Sequence, residues 1–294
     1  MNIIEVLKHI VNHPLNKDQK LYGLFKFVNW QLHCRLVRNK LIKVKFGENS
    51  IVYGKKGLTG ITGNFYCGLH EFYDMAFLLH FLREEDLFLD VGANVGSYSI
   101  LSASEVGAET ISFEPILQTF QLLQSNLKLN GVENRCKMYN IGIGAIESRL
   151  KFTSNFDTMN HIVTDKETEN AVSIAVKPLD EITTIDRTTL IKIDVEGFET
   201  DVLKGMPQML ENPNCKAIII ELNGSGNRFG YNEKDIHENL LSNGLKPYTY
   251  DPFNRQLTEQ ASFGNHNTIY IRDFKFVDLR VKSAKKFHIH RQVF

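Results

Sequence analysis

The sequence predicts an α/β fold in which a mostly parallel sheet is flanked by helices. Short apolar runs alternate with helix-period segments from Leu87 to Ile271. Two of these runs, LFLDV at 87–91 and AIIIEL at 217–222, are apolar almost throughout, as strands covered on both faces must be. The first run ends in a glycine-containing turn, DVGANVGSYS at 90–99, that opens a helix. Strands separated by helices join in parallel through right-handed crossovers.

In chain order, residues 1 to about 45 read as helical, from Ile3, Val6, Leu7 and Ile10 and then Leu21, Leu24, Phe25 and Val28. Arg35, Arg38, Lys40, Lys43 and Lys45 form a basic cluster, read as a solvated face or as a contact with acidic lipid or a partner. Between 43 and 61, Val44, Phe46, Ile51 and Val52 among glycines predict short strands and tight turns. Residues 71–82 carry Phe72, Met75, Ala76, Leu79 and Leu82 at the spacing of an amphipathic helix. Beyond the first strand, Gly96 opens a helix and ETISF at 109–113 is the second strand. Pro115 takes the first position of the next helix, where its missing N–H is harmless. Ile116, Phe120, Leu123 and Leu127 share one face of that helix, and Asn130-Gly131 stops it. CKMYNIGIG at 136–144 is a third strand, and 149–152 and 172–176 are strands around an insertion at 153–170. LIKID at 190–194 is a strand, 200–210 a helix, 217–222 a strand, 234–242 a helix closed by Gly244, and 268–271 a last strand. The expected organisation is an N-terminal helical extension with short strands at 1–82, the main domain at 83–273 and a basic tail at 274–294.

Composition narrows the function. The 294 residues carry 34 basic and 34 acidic side chains, a net charge of zero that argues against nucleic acid as the main partner. Four scattered cysteines without CxxC spacing indicate neither a zinc knuckle nor a disulfide frame. The start of the chain has charges inside its apolar run and no small-residue cleavage site, and no stretch has the roughly 18 uncharged apolar residues of a bilayer span. A soluble protein of the reducing cytoplasm is expected, and self-association stays open.

The chemistry sits beyond the carboxyl ends of the strands, where ligands bind in open α/β sheets. Gly92 and Gly96 let the backbone turn sharply and approach a bound molecule, and Glu114 could accept two hydrogen bonds from a ribose diol. Together they predict an adenosine-containing cofactor; a plain tight turn is the alternative. The dinucleotide pattern G-x-G-x-x-G is broken because Asn94 replaces its second glycine. Asp90 would repel a pyrophosphate and attract the ammonium group of S-adenosylmethionine. Asp194 and Glu196 stand at the mouth of the 190–194 strand, while Glu196 and Glu199 could equally favour the N-terminus of the helix that follows.

Taken together, DVGANVGSYS at 90–99, FEP at 113–115 and KIDVEGFE at 192–199 resemble the FkbM family of S-adenosylmethionine-dependent methyltransferases. The likeness spans roughly 87–222 and extends to GLHE at 68–71, DTMNH at 157–161 and IELN at 220–223. It implies a class I, Rossmann-like, seven-stranded sheet with an antiparallel strand near the C-terminus. It also implies O-methylation of a hydroxyl on a sugar, glycoconjugate or other small secondary metabolite. By motif match, Asp90, Gly92, Asn94 and Gly96 would hold the methionine part and Glu114 the ribose, with Asn140 beside the adenine by position alone. Glu71, Ala93, Ser97, Tyr98, Pro115 and Asp194 complete the expected cofactor wall.

An alcohol needs a base before it attacks a methyl group. His161, oriented by Asp157, ranks first, followed by Asp194 and Glu196. Asp157, Asn160, Asn223, Arg228, Tyr250 and Arg255 are the expected acceptor contacts, because polar and aromatic mixtures suit sugars. No metal is expected, although Asp194, Glu196 and Glu221 could hold magnesium. His288 and His290 lack neighbouring ligands in the sequence. An NAD(P)-dependent oxidoreductase and a non-catalytic binding protein are the competing classes.

Overall fold

The structure, a computed structural model, describes residues 3–37, 40–55, 57–153, 162, 171–182 and 187–294. The chain begins with α1 (Ile3–Asn12) and α2 (Lys20–Val37), separated by a 3₁₀ turn at Pro14–Asn16. Pro14 lacks the N–H that an uninterrupted helix requires, so the helical run expected over 1 to 45 is broken there. It ends before a hairpin of β1 (Ile42–Lys45) and β2 (Ile51–Gly54), which is followed by α3 (Thr59–Cys67) and α4 (Phe72–Phe81).

The central unit opens with β3 (Leu87–Val91), α5 (Ser97–Ile100) running into a π-helical turn to Val106, and β4 (Glu109–Phe113). Next come α6 (Leu117–Leu129) and β5 (Cys136–Tyr139), then β6 (Gly142–Ile143), β7 (Ser148–Phe152) and β8 (Val172–Lys177). It continues with β9 (Thr188–Ile193), α7 (Glu199–Lys204), α8 (Pro207–Glu211), β10 (Ala217–Glu221) and α9 (Glu233–Ser242). The last elements are β11 (Lys246–Asp251), β12 (Gln256–Glu259), β13 (Asn267–Ile271), α10 (Phe274–Ser283), β14 (His288–Ile289) and β15 (Gln292–Val293).

The main sheet has the order β12-β11-β13-β10-β9-β3-β4-β5. Neighbours from β10 to β5 are parallel, and β13 is antiparallel to both β10 and β11. The expected seven strands with an antiparallel member are therefore present, and β12 adds an eighth at the edge. Strand order reverses between β3 and β9, which opens a crevice beyond their carboxyl ends.

Several expected boundaries shift. Pro115 precedes the α6 N-cap at Ile116 by one residue, so it is not in the first helical position. The third strand is split: β5 stays in the main sheet, while β6 joins β8 and β7 in a separate small sheet. The 200–210 helix breaks at Gly205-Met206, where the chain passes so close to Gly144 that a Cβ on Gly205 would lie 2.0 Å from the Gly144 carbonyl oxygen. Pro207 then restarts a helix at its first turn.

One hydrophobic core runs from Ile10 and Leu15 through Phe77 to Phe287 and Phe294, and a second packs β9 and β10 against α7, α8 and α9. Neither 83 nor 273 coincides with a break in the first core. The basic tail is α10 and a hairpin, and it buries Val277, Val281, Phe287, Ile289 and Phe294; its charge concealed that pattern. His290 and Arg291 form the two-residue hairpin turn with φ of 55 and 65°.

Candidate functional site

The crevice is shaped first by the turn after β3. Gly92 has φ +82°, and a Cβ there would fall 1.8 Å from the Asp194 carbonyl oxygen, so only glycine lets this turn lie against the end of β9. Gly92 and Ala93 donate their N–H groups to the Phe113 carbonyl at 3.0 and 2.9 Å. Asn94 adopts φ 50° and donates its N–H to Glu114 Oε2 at 3.0 Å, while Glu114 Oε1 accepts from the Ile116 N–H at 2.8 Å. The second strand's terminal carboxylate thus ties the glycine turn to the start of α6. Burial pushes the Glu114 carboxyl up to about 7 against these two hydrogen bonds. Asp90 accepts from Ser99 Oγ at 2.5 Å, and burial pushes it up to about 6.

These groups line a cavity of about 300 Å³, at the lower end of the range for small-molecule sites. All the residues expected to hold the cofactor line it except Gly96 and Asn140. Gly96 instead separates α5 from α6, since a Cβ there would sit 2.5 Å from Leu123 Cδ1. Asn140 donates its amide to the Glu114 and Pro115 carbonyls at 2.9 and 2.8 Å, which holds the loop in place and keeps it out of the wall.

Acids dominate the far end. Lys192, 3% exposed, pairs with Asp194 at 2.7 Å and lies 4.7 Å from the Tyr98 ring centroid. Burial alone would lower its pKa, but the Asp194 and Glu71 carboxylates outweigh that and raise it, so the ammonium stays charged. Tyr98 donates its hydroxyl to Glu71 Oε2 at 2.9 Å, and the Asn267 amide donates to Glu71 Oε1 at 2.9 Å. Asp194, Glu196 and Glu221 each offer an oxygen within 4.8 Å of the others. Burial, and then Asp194 and Glu196, push Glu221 up to about 9, and its Oε2 has no hydrogen-bond partner among the described residues. The cluster sheds charge by keeping a proton on Glu221; the same three oxygens could serve a hard divalent cation. A positively charged ligand would offset the repulsion and burial that raise these carboxyls, and so would be favoured as they ionise. The sulfonium and ammonium groups of S-adenosylmethionine carry charge of that sign.

A second cavity of about 910 Å³ adjoins the first and shares His70, Glu71 and Glu221 with it. One wall comes from α1 and the turn after it, with Lys8, His9, Asn12 and His13, and the opposite wall includes Tyr248, His266 and Asn267. Of the expected acceptor contacts among the described residues, only Tyr250 borders this space, and it is 3% exposed with its hydroxyl 2.6 Å from His80 Nδ1. Asn223 accepts the Ser225 N–H and Arg228 donates to the Ser225 carbonyl, so both serve the local turn. Arg255 donates to the Val281, Ala284 and Lys285 carbonyls at the end of α10. None of these three borders either cavity: polar turn chemistry and a helix-end contact looked like a binding rim. Asp157, Asn160 and His161 lie outside the described residues.

His70 and Lys192 also line the first cavity, and both stand inside the GLHE and KIDVEGFE motifs without a residue pattern that marks them as site residues. The sequence has no local signal for the α1 wall or for Asn267, which reach the site only through tertiary packing. All four cysteines are free and buried.

A family model described as the methyltransferase FkbM domain matches residues 90–247. The chain is 28% identical over 167 residues to a hexuronic acid methyltransferase, AglP, of Haloferax volcanii, covering 56% of this chain and 65% of that protein. It is 26% identical over 148 residues to methyltransferase 1 of Beauveria bassiana, covering 42% and 59%. The chain thus spans under two thirds of the length of these curated relatives. Among solved structures it is similar to an RNA methyltransferase from Salinibacter ruber in complex with S-adenosyl-L-homocysteine, with a TM-score of 0.32 and 14% identity over 51% of this chain and 72% of that one.

Proposed function

The chain belongs to the FkbM methyltransferase family, and we propose that it transfers the methyl group of S-adenosylmethionine to a hydroxyl of a carbohydrate-containing small molecule. The observation that carries this reading is the junction of two cavities at His70, Glu71 and Glu221. The first cavity has the acids and the glycine turn that suit the cationic donor. The second is larger and mixes tyrosine, histidine and asparagine, a lining that suits the apolar faces and polar edges of a sugar. The hexuronic acid methyltransferase among its relatives supports a carbohydrate acceptor.

When bound, the donor supplies an electrophilic methyl on a sulfonium, and the rest falls to the chain. Glu114 would hold the ribose hydroxyls, and Asp90 and Asp194 would answer the donor's positive charge. Lys192 keeps Asp194 fixed in place. Holding acceptor and donor at the junction supplies the alignment, worth up to about 7–11 kcal/mol of a barrier. A base takes the acceptor's proton, worth about 10²–10⁴-fold. His161 is the proposed base, with Asp157 to orient it. Asp194 is paired with Lys192, and Glu221 already carries a proton at neutral pH, so neither is as free to accept one.

The test is labelled-methyl transfer from S-adenosylmethionine to uronic-acid and neutral glycans. Product in which the label sits on an ether oxygen is expected, and it should persist in a strong chelator because Lys192 and the Glu221 proton already relieve the acid cluster. His161→Ala should lower turnover about 10²-fold or more without changing S-adenosylhomocysteine affinity. Unchanged turnover moves the role to His70 and removes it from His161. Calorimetric binding of a nicotinamide dinucleotide with none of S-adenosylhomocysteine would overturn the whole reading.

A further inference from the structure

Helix α2 is apolar on two faces, and the core covers only one of them. Gly23, Trp30 and Cys34 face inward and are buried. On the opposite side Leu21, Phe25, Val28, Leu32 and Leu36 recur at the three- and four-residue spacing that stacks side chains along one helical face. They are 82, 63, 52, 53 and 82% exposed. The stripe extends about 22 Å at 1.5 Å per residue. A contiguous apolar surface of this kind marks a place of interaction.

The charges around it say with what. From Gln19 to Gly47 the sequence has no acidic residue and seven basic ones. Lys20, Arg35, Lys40, Lys43 and Lys45 among these are exposed. At the head of the stripe a recess of about 620 Å³ is lined by Lys17, Lys20, Leu21, Tyr22 and Arg291, with Asp18 the one acid in its wall among the described residues. The Arg291 guanidinium lies 3.9 Å from the Tyr22 ring centroid. A second copy of α2 answers this surface poorly, because pairing two such helices brings cationic flanks together with no carboxylate between them. An anionic bilayer answers both features at once, taking the apolar side chains at its acyl boundary and the cations at its phosphates. No described helix is long and apolar enough to cross a membrane, so α2 would lie in the plane of the interface.

We propose that α2 docks this protein on an anionic phospholipid surface, with the Leu21-to-Leu36 stripe entering the interface and the recess of Lys17, Lys20 and Arg291 taking a lipid phosphate. The claim does not depend on the identity of the methyl acceptor. Co-sedimentation of the full chain with vesicles tests it, using phosphatidylcholine alone and phosphatidylcholine mixed with phosphatidylglycerol. Binding is expected to the mixed vesicles only and to weaken as salt is raised. The double variant Leu21→Glu/Phe25→Glu should abolish it. Lys17→Gln/Arg291→Gln should weaken it by roughly fivefold for each charge removed. S-adenosylhomocysteine affinity, measured without lipid, should be unchanged in both and so reports that they fold. Absence of binding to the mixed vesicles by the unmodified protein would overturn the proposal, as would binding that neither variant diminishes. A concentration-dependent dimer in sedimentation velocity that Leu21→Glu/Phe25→Glu dissolves would also overturn it, in favour of self-pairing.

Discussion

Glu114 holds the N–H groups of Asn94 and Ile116 on one carboxyl, and if it faces the donor as proposed, donor binding should depend on pH. Burial pushes Glu114 from 4.5 up to about 7 and Asp90 from 3.8 up to about 6. A carboxyl whose folded value is raised keeps a proton that the unfolded chain has released. Its stabilising contribution is therefore complete below the unfolded value and is lost as pH rises through 6 for Asp90 and 7 for Glu114. A cationic donor has the opposite preference, since it favours both ionised forms. Donor affinity should therefore strengthen between about pH 5 and 8, with protons released on binding. Calorimetry with S-adenosylmethionine in buffers of different ionisation heat reads both quantities. Glu114→Gln should reduce the proton release and weaken binding by about 10- to 100-fold, the loss of a hydrogen bond to a charged group. Affinity that is flat across this range, with no proton exchange, would show that these carboxyls do not face the donor.

The turn between β3 and α5 tests the site at the level of an element, because it works only while pressed against the end of β9. In Gly92→Ala the new methyl would sit 1.8 Å from the Asp194 carbonyl oxygen, so the turn and the strand must part. Gly131→Ala is the matched control, with φ +66° and nothing within 4 Å of the added carbon. Both variants carry the backbone penalty of alanine at positive φ, on the order of 1 kcal/mol or more. Only Gly92→Ala should also lose S-adenosylhomocysteine binding; equal affinity in the two would remove the close approach as a requirement. Elements of this kind were legible in the sequence where one local cause decided them. β3 and β10 are buried on both faces and so read as almost wholly apolar runs, and α6 shows its inward face as Phe120, Leu123 and Leu127. Where two causes met, the pattern misled. The run at 136–144 reads as one strand because apolar residues recur through both β5, of which only Cys136 is buried, and the buried β6, although they belong to different sheets. The apolar spacing through Met206 and Leu210 likewise passes over a break imposed by the Gly144 backbone, a neighbour far away in sequence. Much of the first cavity's lining lies in contiguous motifs and was readable as one cluster. The second cavity is assembled from α1, α4 and the β11–β13 end of the sheet, and no local spacing announces that meeting.

For the whole molecule, the ends of the chain close the core. Phe287 and Phe294 are 1% and 5% exposed and pack on His80, whose ring centroid lies 5.8 and 5.4 Å from theirs. Burial, reinforced by Arg255, pushes His80 down to about 3, so it stays neutral and keeps its contact with the Tyr250 hydroxyl. The Gln19 amide donates to the His290 carbonyl, which joins the start of α2 to the last hairpin. Arg280 of α10 pairs with Asp86 just before β3. These links tie 274–294 to both the N-terminal helices and the main sheet, and they make cooperative unfolding of the whole the expectation. Near- and far-UV circular dichroism should trace one coincident thermal transition. Phe294→Ala should lose about 3–5 kcal/mol, the usual consequence of emptying a buried aromatic site. Removing residues 284–294 takes away Phe287, Ile289 and Phe294 together. That loss rivals the whole stability of a typical domain, roughly 5–15 kcal/mol, so the truncated chain should lose its near-UV signal at room temperature. A truncated protein that melts at the temperature of the full chain would instead make the last segment an appendage, and the core would then have to close without it.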